Sequence, residues 1–272
     1  MRKTVLITGA SSGIGQATAL FFHDQGWNVI ATMRHPEKRQ TLLHEKGLPH
    51  LVHLDVMERA SIQAAIQYAI EKFQKIDVLV NNAGYALFGP FEAASTEQIQ
   101  KQFETNLFGL METTRTILPH FRAQHDGVLI NVSSMGGRIG FPLYAVYNSS
   151  KFAVEGYTEA LQYELRPHNI RVKLIEPGVI RTDFFDRSMD RSDDASTAEP
   201  YREIMKSADN SNSANSKGTA PDVVAKVIYK AAQDRSRRLR YVVGSDAKLV
   251  NFVRGLVPEQ WLFHIIRKYA LG

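Results

Sequence analysis

The chain has no cysteine among its 272 residues. Disulfides, thiolate nucleophiles and Cys–zinc centres are therefore excluded, and a reducing, cytoplasmic setting is expected. No run of 18 apolar residues occurs, and no apolar signal-like stretch precedes the first strand-like run, so neither membrane spanning nor secretion is expected. Charge is unbalanced only mildly, at +5. The basic residues gather in RHPEKR at 34–39 and DRSRRLR at 234–240, without the interleaved aromatics of an RNA-binding face, so no nucleic-acid partner is expected. The nine histidines lack ligand spacing. His50-x-x-His53 falls on a strand-like run, and no metal site is assigned.

What the chain does have is alternation. Strand-like runs recur as TVLIT, NVIAT, HLVHLDV, IDVLVNN, GVLINVS, IRVKLIEP and RYVVG. Helix-length spacers with apolar periodicity separate them, among them QATALFFHDQG, ASIQAAIQYAIEKFQ and KFAVEGYTEALQYEL. Such alternation predicts an α/β fold with a parallel sheet, whose ligands bind beyond the C-terminal strand ends. One domain over 1–245 is expected. It would carry a mobile stretch at 185–218, rich in Ser, Asn and Asp, and a C-terminal extension at 246–272.

Directly after the first strand-like run stands TGASSGIG, residues 8–15. Glycines at 9, 13 and 15 permit a tight turn and close approach of backbone to a diphosphate, and the following helix offers its free N–H groups. The second strand ends in Met33-Arg34, with no carboxylate before Glu37. An acid there would bind a ribose 2′-OH, whereas the Arg34 fork, helped by Ser12, suits a 2′-phosphate. NADP(H) is therefore expected over NAD(H).

Tyr147 and Lys151 are one helical turn apart, with Ser134 thirteen residues upstream. An ammonium beside a phenol is expected to lower a pKa of roughly 10 and make the tyrosine a usable general acid or base. Chance alone supplies ~0.5 Tyr-x-x-x-Lys pairs in a chain of this composition. Tyr68/Lys72 is such a decoy, on a solvated helix face. The preceding run GVLINVSS and the glycine-rich turn after it set Tyr147/Lys151 apart.

In this order the motifs TGASSGIG, LDV (54–56), NNAG (81–84), Asn106, Ser134, Tyr147-x-x-x-Lys151 and EPG (176–178) followed by Thr182 resemble the short-chain dehydrogenase/reductase family over residues 3–245. The resemblance implies a Rossmann-type, doubly wound sheet of seven parallel strands, and catalysis by Asn106, Ser134, Tyr147 and Lys151. The backbone carbonyl of Asn106 would hold a water linking Lys151 to solvent. The cofactor would lie on Gly9, Ser11, Ser12, Gly13, Ile14, Gly15 and Arg34. It would continue along Asp55, Val56, Asn81, Asn82, Ala83 and Gly84, and end at Tyr147, Lys151, Pro177, Gly178, Val179 and Thr182. Substrate would meet Ser134, Met135, Tyr144, Tyr147 and Phe184, within an apolar wall of Ala86, Leu87, Phe88, Gly136, Phe141 and Phe185. Residues 185–218 correspond to the lid over the substrate in the related enzymes, with Phe184, Phe185 and Met189 as its apolar underside.

A hydrophobic carbonyl or secondary alcohol is therefore the expected small-molecule partner. ATMR and SSKFAVEGYTEAL are similar to the branch of 17β-hydroxysteroid and retinol dehydrogenases. Relatives form homodimers or homotetramers through the helices bearing Asn106 and Tyr147. Two other readings use the same scaffold: a silent NADP(H) sensor, which would have lost part of the tetrad, and an epimerase or dehydratase, which would need a longer C-terminal part. The tail AKLVNFVRGLVPEQWLFHIIRKYALG is apolar and basic. It could pack on the domain, on a partner subunit or against a membrane surface.

Overall fold

A computed structural model of the chain describes residues 2–38, 41–181, 189–192, 199–214 and 218–271. Thr182, Phe184 and Phe185 lie outside the described residues. The seven expected strands form one sheet: β1 (Thr4–Ile7), β2 (Asn28–Met33), β3 (Leu51–His53), β4 (Val78–Asn81), β6 (Gly127–Val132), β7 (Ile170–Pro177) and β9 (Arg240–Val243). Their order is β3-β2-β1-β4-β6-β7-β9 and every pair is parallel. Strand order reverses beside β1, which opens the crevice that doubly wound sheets use for ligands.

Both faces of β1 are buried, so its alternate residues feed two cores. Val5 and Ile7 of β1 pack with Phe22 of α1 (Gly13–Asp24) and Ile228 of α8 (Pro221–Gln233). Leu6, between them, packs on the other side with Ile62 of α3 (Arg59–Phe73), Ile117 of α5 (Gly109–Ala123) and Leu161 of α6 (Ala145–Leu165). Each such fully buried side chain stabilises the fold by roughly 1.5–3 kcal/mol. Gly26, at φ 78°, ends α1 as its position predicts, and α6 gives way at Arg166–His168, around Pro167.

Three further helices complete the early and middle layers: α2 (Leu42–Glu45), α4 (Thr96–Phe103) and, before α5, a π-helical turn at Glu104–Phe108. A polar ladder crosses the sheet interior. Asn81 Nδ2 donates to Asn131 Oδ1 at 2.9 Å and to Thr114 Oγ1 at 3.0 Å, and Asn131 Nδ2 donates to Thr158 Oγ1 at 2.9 Å.

Two features depart from the sequence reading. Ala86, Leu87 and Phe88 do not wall the pocket. They form β5 (Ala86–Phe88), a buried strand paired in parallel with β8 (Met189–Arg191). Their side chains are spent on packing, Phe88 against Tyr144 at 4.9 Å between ring centroids. Within the low-complexity stretch the chain forms α7 (Arg202–Ala214) rather than irregular backbone. The helix packs on α10 (Glu259–Leu271), a partner that composition alone does not reveal. The tail itself is a helical hairpin of α9 (Ser245–Arg254) and α10, docked through Leu262 and Ile266 onto Ile139.

Candidate active site

The glycine loop between β1 and α1 is built for a close ligand. Gly9 and Gly13 adopt φ of 67° and 55°, which side-chain-bearing residues avoid. A Cβ on Gly15 would overlap the Gly9 carbonyl oxygen. Ser12 caps α1 without a side-chain hydrogen bond, so the first-turn N–H groups have no side-chain acceptor. Asn82 braces the loop: its Nδ2 donates to the carbonyls of Thr8 at 2.9 Å and Gly9 at 3.0 Å. Asn81, by contrast, points into the polar ladder, because successive strand residues face opposite ways.

A cleft of about 590 Å³ runs from this loop to α6. It is lined by Gly9, Ser11, Ser12, Gly13, Ile14 and Arg34 at one end, then Asp55, Val56, Asn82, Ala83 and Gly84. Ser134, Met135, Tyr144, Tyr147, Lys151, Pro177, Gly178 and Val179 line the other end. Gly15 lies behind this wall, where only hydrogen fits. Arg34 is exposed just beyond the end of β2. Asp55 also spends Oδ1 on the Met57 N–H, at 3.0 Å, which shapes the turn into α3. These residues fit an extended dinucleotide: a glycine cradle and uncapped helix end for the diphosphate, and a cation at the far rim.

Ser134 follows β6 in extended backbone. Its Oγ accepts the Gly136 N–H at 3.0 Å, which leaves the hydroxyl proton for another oxygen, and it is hydrogen-bonded to the Tyr147 hydroxyl. Lys151 is buried and its Nζ donates to the Val132 carbonyl at 3.0 Å. Nζ also lies 5.9 Å from the Tyr147 ring centroid. Ser134, Tyr147 and Lys151 therefore meet as their spacing predicts.

The electrostatics differ from expectation. Burial pushes the Tyr147 phenol up, and the Ser134 hydrogen bond opposes this. Burial drives Lys151 down to about 8, with Glu155 resisting. At each group desolvation outweighs the single opposing contact, Ser134 at Tyr147 and Glu155 at Lys151. Tyr147 is thus held protonated rather than acidified.

Asn106 sits in the π-helical turn and is buried, not a surface amide. Its side chain clamps the β4–β5 connection: Oδ1 accepts the Tyr85 N–H at 3.0 Å and Nδ2 donates to the Tyr85 carbonyl at 2.9 Å and to Ser150 Oγ at 3.2 Å. Gly84 passes so close that a Cβ would stand 3.0 Å from Asn106 Oδ1 and 3.8 Å from Lys151 Nζ.

Several functional neighbours escape sequence reasoning. Asp246, in the first turn of α9, accepts the Val179 N–H at 2.6 Å and holds the Pro177–Val179 turn; it is nearly seventy residues away in the chain, with no motif to betray it. Glu155, one turn beyond Lys151, and Glu176 share Arg240, whose Nε lies 3.3 Å and 3.1 Å from them. The acidic residue of EPG and the YxxxKxxxE spacing are visible in the sequence, but their common arginine is not. Tyr85, Lys101 and Asp190 add polar groups to the wall of the cleft. The Tyr85 hydroxyl is lifted to about 12, chiefly by burial, and stays a donor. Among the described residues no group of three or more His, Asp or Glu could hold a metal; His50 bonds Tyr68 and His53 bonds the Arg34 carbonyl.

With this geometry in place, comparison with known proteins places the chain. The family model described as short chain dehydrogenase matches residues 3–193. The uncharacterized oxidoreductase YusZ of Bacillus subtilis is 36% identical over 279 residues, covering 98% of each chain. Among solved structures, ElxO with NADP bound shares 29% identity with a TM-score of 0.73, over 89% of this chain and 98% of that one. A short chain dehydrogenase/reductase from Burkholderia phymatum in complex with NAD shares 25% identity with a TM-score of 0.79, over 93% and 92%. The narrower steroid or retinol branch is not part of this finding. The chain belongs to the short-chain dehydrogenase/reductase family of oxidoreductases.

Proposed function

We propose that this protein is an NADP(H)-dependent oxidoreductase that interconverts an apolar carbonyl compound and its alcohol. The observation that carries the reading is the meeting of half-buried Ser134 and Tyr147 with the buried Lys151, in one cleft with the glycine loop and Arg34. Gly9 and residues 11–15 would hold the diphosphate, Arg34 and Ser12 the 2′-phosphate, Asp55 and Val56 the adenine side. Tyr147 and Lys151 would hold the nicotinamide ribose, and Pro177, Gly178, Val179 and Thr182 the nicotinamide. When bound, the nicotinamide supplies or takes up a hydride at the substrate carbon.

Tyr147 is the proton donor in the reducing direction. Burial keeps its hydroxyl protonated, and the proton goes to the substrate oxygen as charge develops there. Ser134, whose Oγ already accepts the Gly136 N–H, turns its hydroxyl proton from Tyr147 to the same oxygen and stabilises that charge. Lys151 supplies a fixed positive charge beside the phenol and favours the phenolate left behind. Asn106 keeps Gly84 and Tyr85 against this cluster, and its backbone carbonyl would hold the water that serves Lys151. Oxidation runs the same steps backwards.

Met135, Phe141, Tyr144, Val179 and Met189 make the substrate end largely apolar, which supports a hydrophobic carbonyl partner. The absence of a carboxylate at the end of β2, with Arg34 in its place, supports NADPH over NADH. The test is spectrophotometric: loss of NADPH absorbance over a panel of aliphatic, aromatic and steroidal carbonyls. Oxidation of NADPH with an apolar member is expected. Binding of NADPH without oxidation by any carbonyl, or of the cognate alcohol without reduction of NADP, would overturn the reading.

A further inference from the structure

The C-terminal hairpin spends only one of its faces on the domain. Leu262 and Ile266 are buried on Ile139, with Phe141, Val250, Val253 and Val257 packed around them. Asp246 and Asn251 fix α9 to the rim of the cleft, through the Val179 N–H at 2.6 Å and Glu176 at 3.1 Å. Leu249, Phe252, Leu256, Trp261, Phe263 and Ile265 stand in solvent around that buried stripe, with Phe252 and Trp261 each 68% exposed. Leu249/Phe252 and Trp261/Ile265 are spaced to lie side by side on their helices. Exposed large side chains this concentrated mark an interaction surface.

Charge decides between occupants. Lys248, Arg254, Arg267 and Lys268 are exposed among these apolar residues, against Glu259 and an Asp246 already committed to Val179. A two-fold contact with a second copy would set this patch against itself and oppose like charges. An anionic bilayer neutralises them while taking the apolar side chains and the indole into its interface. A second copy also has a separate apolar surface available, at Phe108 in the π-helical turn and Phe152 and Tyr163 on α6. No helix among the described residues is long and apolar enough to cross a membrane, so the hairpin would lie on the surface.

We propose that the α9–α10 hairpin docks this protein on anionic lipid bilayers and that the substrate is an amphipathic, long-chain carbonyl compound drawn from them. The second half rests on the oxidoreductase reading above; the docking does not. The hairpin stands where such delivery needs it. Phe141, which packs on it, lines the cleft, and α7, which packs on α10, lines the cleft through Ala208.

The experiment uses the full chain with vesicles of phosphatidylcholine, with and without phosphatidylserine. Co-sedimentation is expected only with phosphatidylserine present and is expected to weaken by about fivefold for each of Lys248, Arg254, Arg267 and Lys268 changed to Ala. Phe252→Ser with Trp261→Ser should abolish it, while NADPH binding, thermal unfolding and turnover of soluble benzaldehyde stay as in the parent. Turnover of hexadecanal held in vesicles should fall in the same variant. Equal sedimentation of parent and variant, or none with either lipid, overturns the docking. A change in mass by light scattering in the variant, with no vesicle binding by the parent, assigns the face to a second copy instead. Vesicle binding without turnover of either aldehyde would leave the docking standing and reject the oxidoreductase half.

Discussion

At Tyr147 burial and the Ser134 hydrogen bond pull in opposite directions, and burial wins. A phenol kept neutral is a proton donor at rest, so it suits reduction without prior activation. Lys151, driven to about 8, carries its charge at neutrality and loses it above. Turnover in the reducing direction should therefore fall as pH rises through about 8, in a kcat profile measured at saturating cofactor; a flat profile to pH 10 would deny Lys151 its electrostatic role. The same shift bears on stability. Unfolded Lys151 keeps its proton to about 10.5, whereas the folded residue releases it near 8. Across that window the unfolded chain binds more protons, so stability from this group rises with pH and is lowest at neutrality. Lys151→Met should abolish turnover yet raise stability by roughly 1–3 kcal/mol at pH 7 in denaturant titration. A less stable variant would mean that the lost hydrogen bond to Val132 outweighs the relief of a buried charge. Asp246→Ala leaves the Val179 N–H without its charged acceptor, a loss of about 1.5–3 kcal/mol. It should weaken NADPH binding with Tyr147 and Lys151 untouched, as read by fluorescence titration.

Among the elements, those whose reasons are local were legible beforehand. β1, α1 and the glycine turn between them follow from TVLIT, the apolar spacing of QATALFFHDQG and three glycines. Gly15→Ala should reduce NADPH binding by about tenfold or more, since the methyl must displace the Gly9 carbonyl or Asn82. The circular dichroism spectrum should stay as in the parent. The elements that were missed owe their form to distant partners. Ala86–Phe88 read as pocket lining because an apolar triplet beside NNAG does not announce that Met189–Arg191 pairs with it, a hundred residues on. Residues 202–214 announce no helix in their polar composition, because the surface that α10 offers them lies far along the chain. The π-helical turn that buries Asn106 was likewise invisible in KQFETNLFGLMETT, where the asparagine looks like any polar residue on a helix.

At the scale of the whole molecule the sheet order brings widely separated stretches of chain, from Gly9 to Ala208, to one cleft. The ordered motifs carried the fold, the parallel sheet and the meeting of Ser134, Tyr147 and Lys151. They could not carry the balance of desolvation against charge, which depends on everything packed around the cluster. Arg34 tests the cofactor end of the cleft. Arg34→Asp should move the ratio of NADPH to NADH affinity by about 10–100-fold toward NADH, through loss of the phosphate's cation and gain of a ribose acceptor. An unchanged ratio would remove Arg34 from the site. The most direct measurement concerns the phenol. Tyr147→Phe keeps the ring, its neighbour Tyr144 at 6.1 Å and the glycine cradle, and deletes one oxygen. NADPH titration of this variant should match the parent within a few tenths of a kcal/mol, while carbonyl reduction falls by about 10²–10⁴-fold. Reduction at the parental rate with NADPH bound would show that the proton comes from elsewhere and that this cluster is not the catalytic centre.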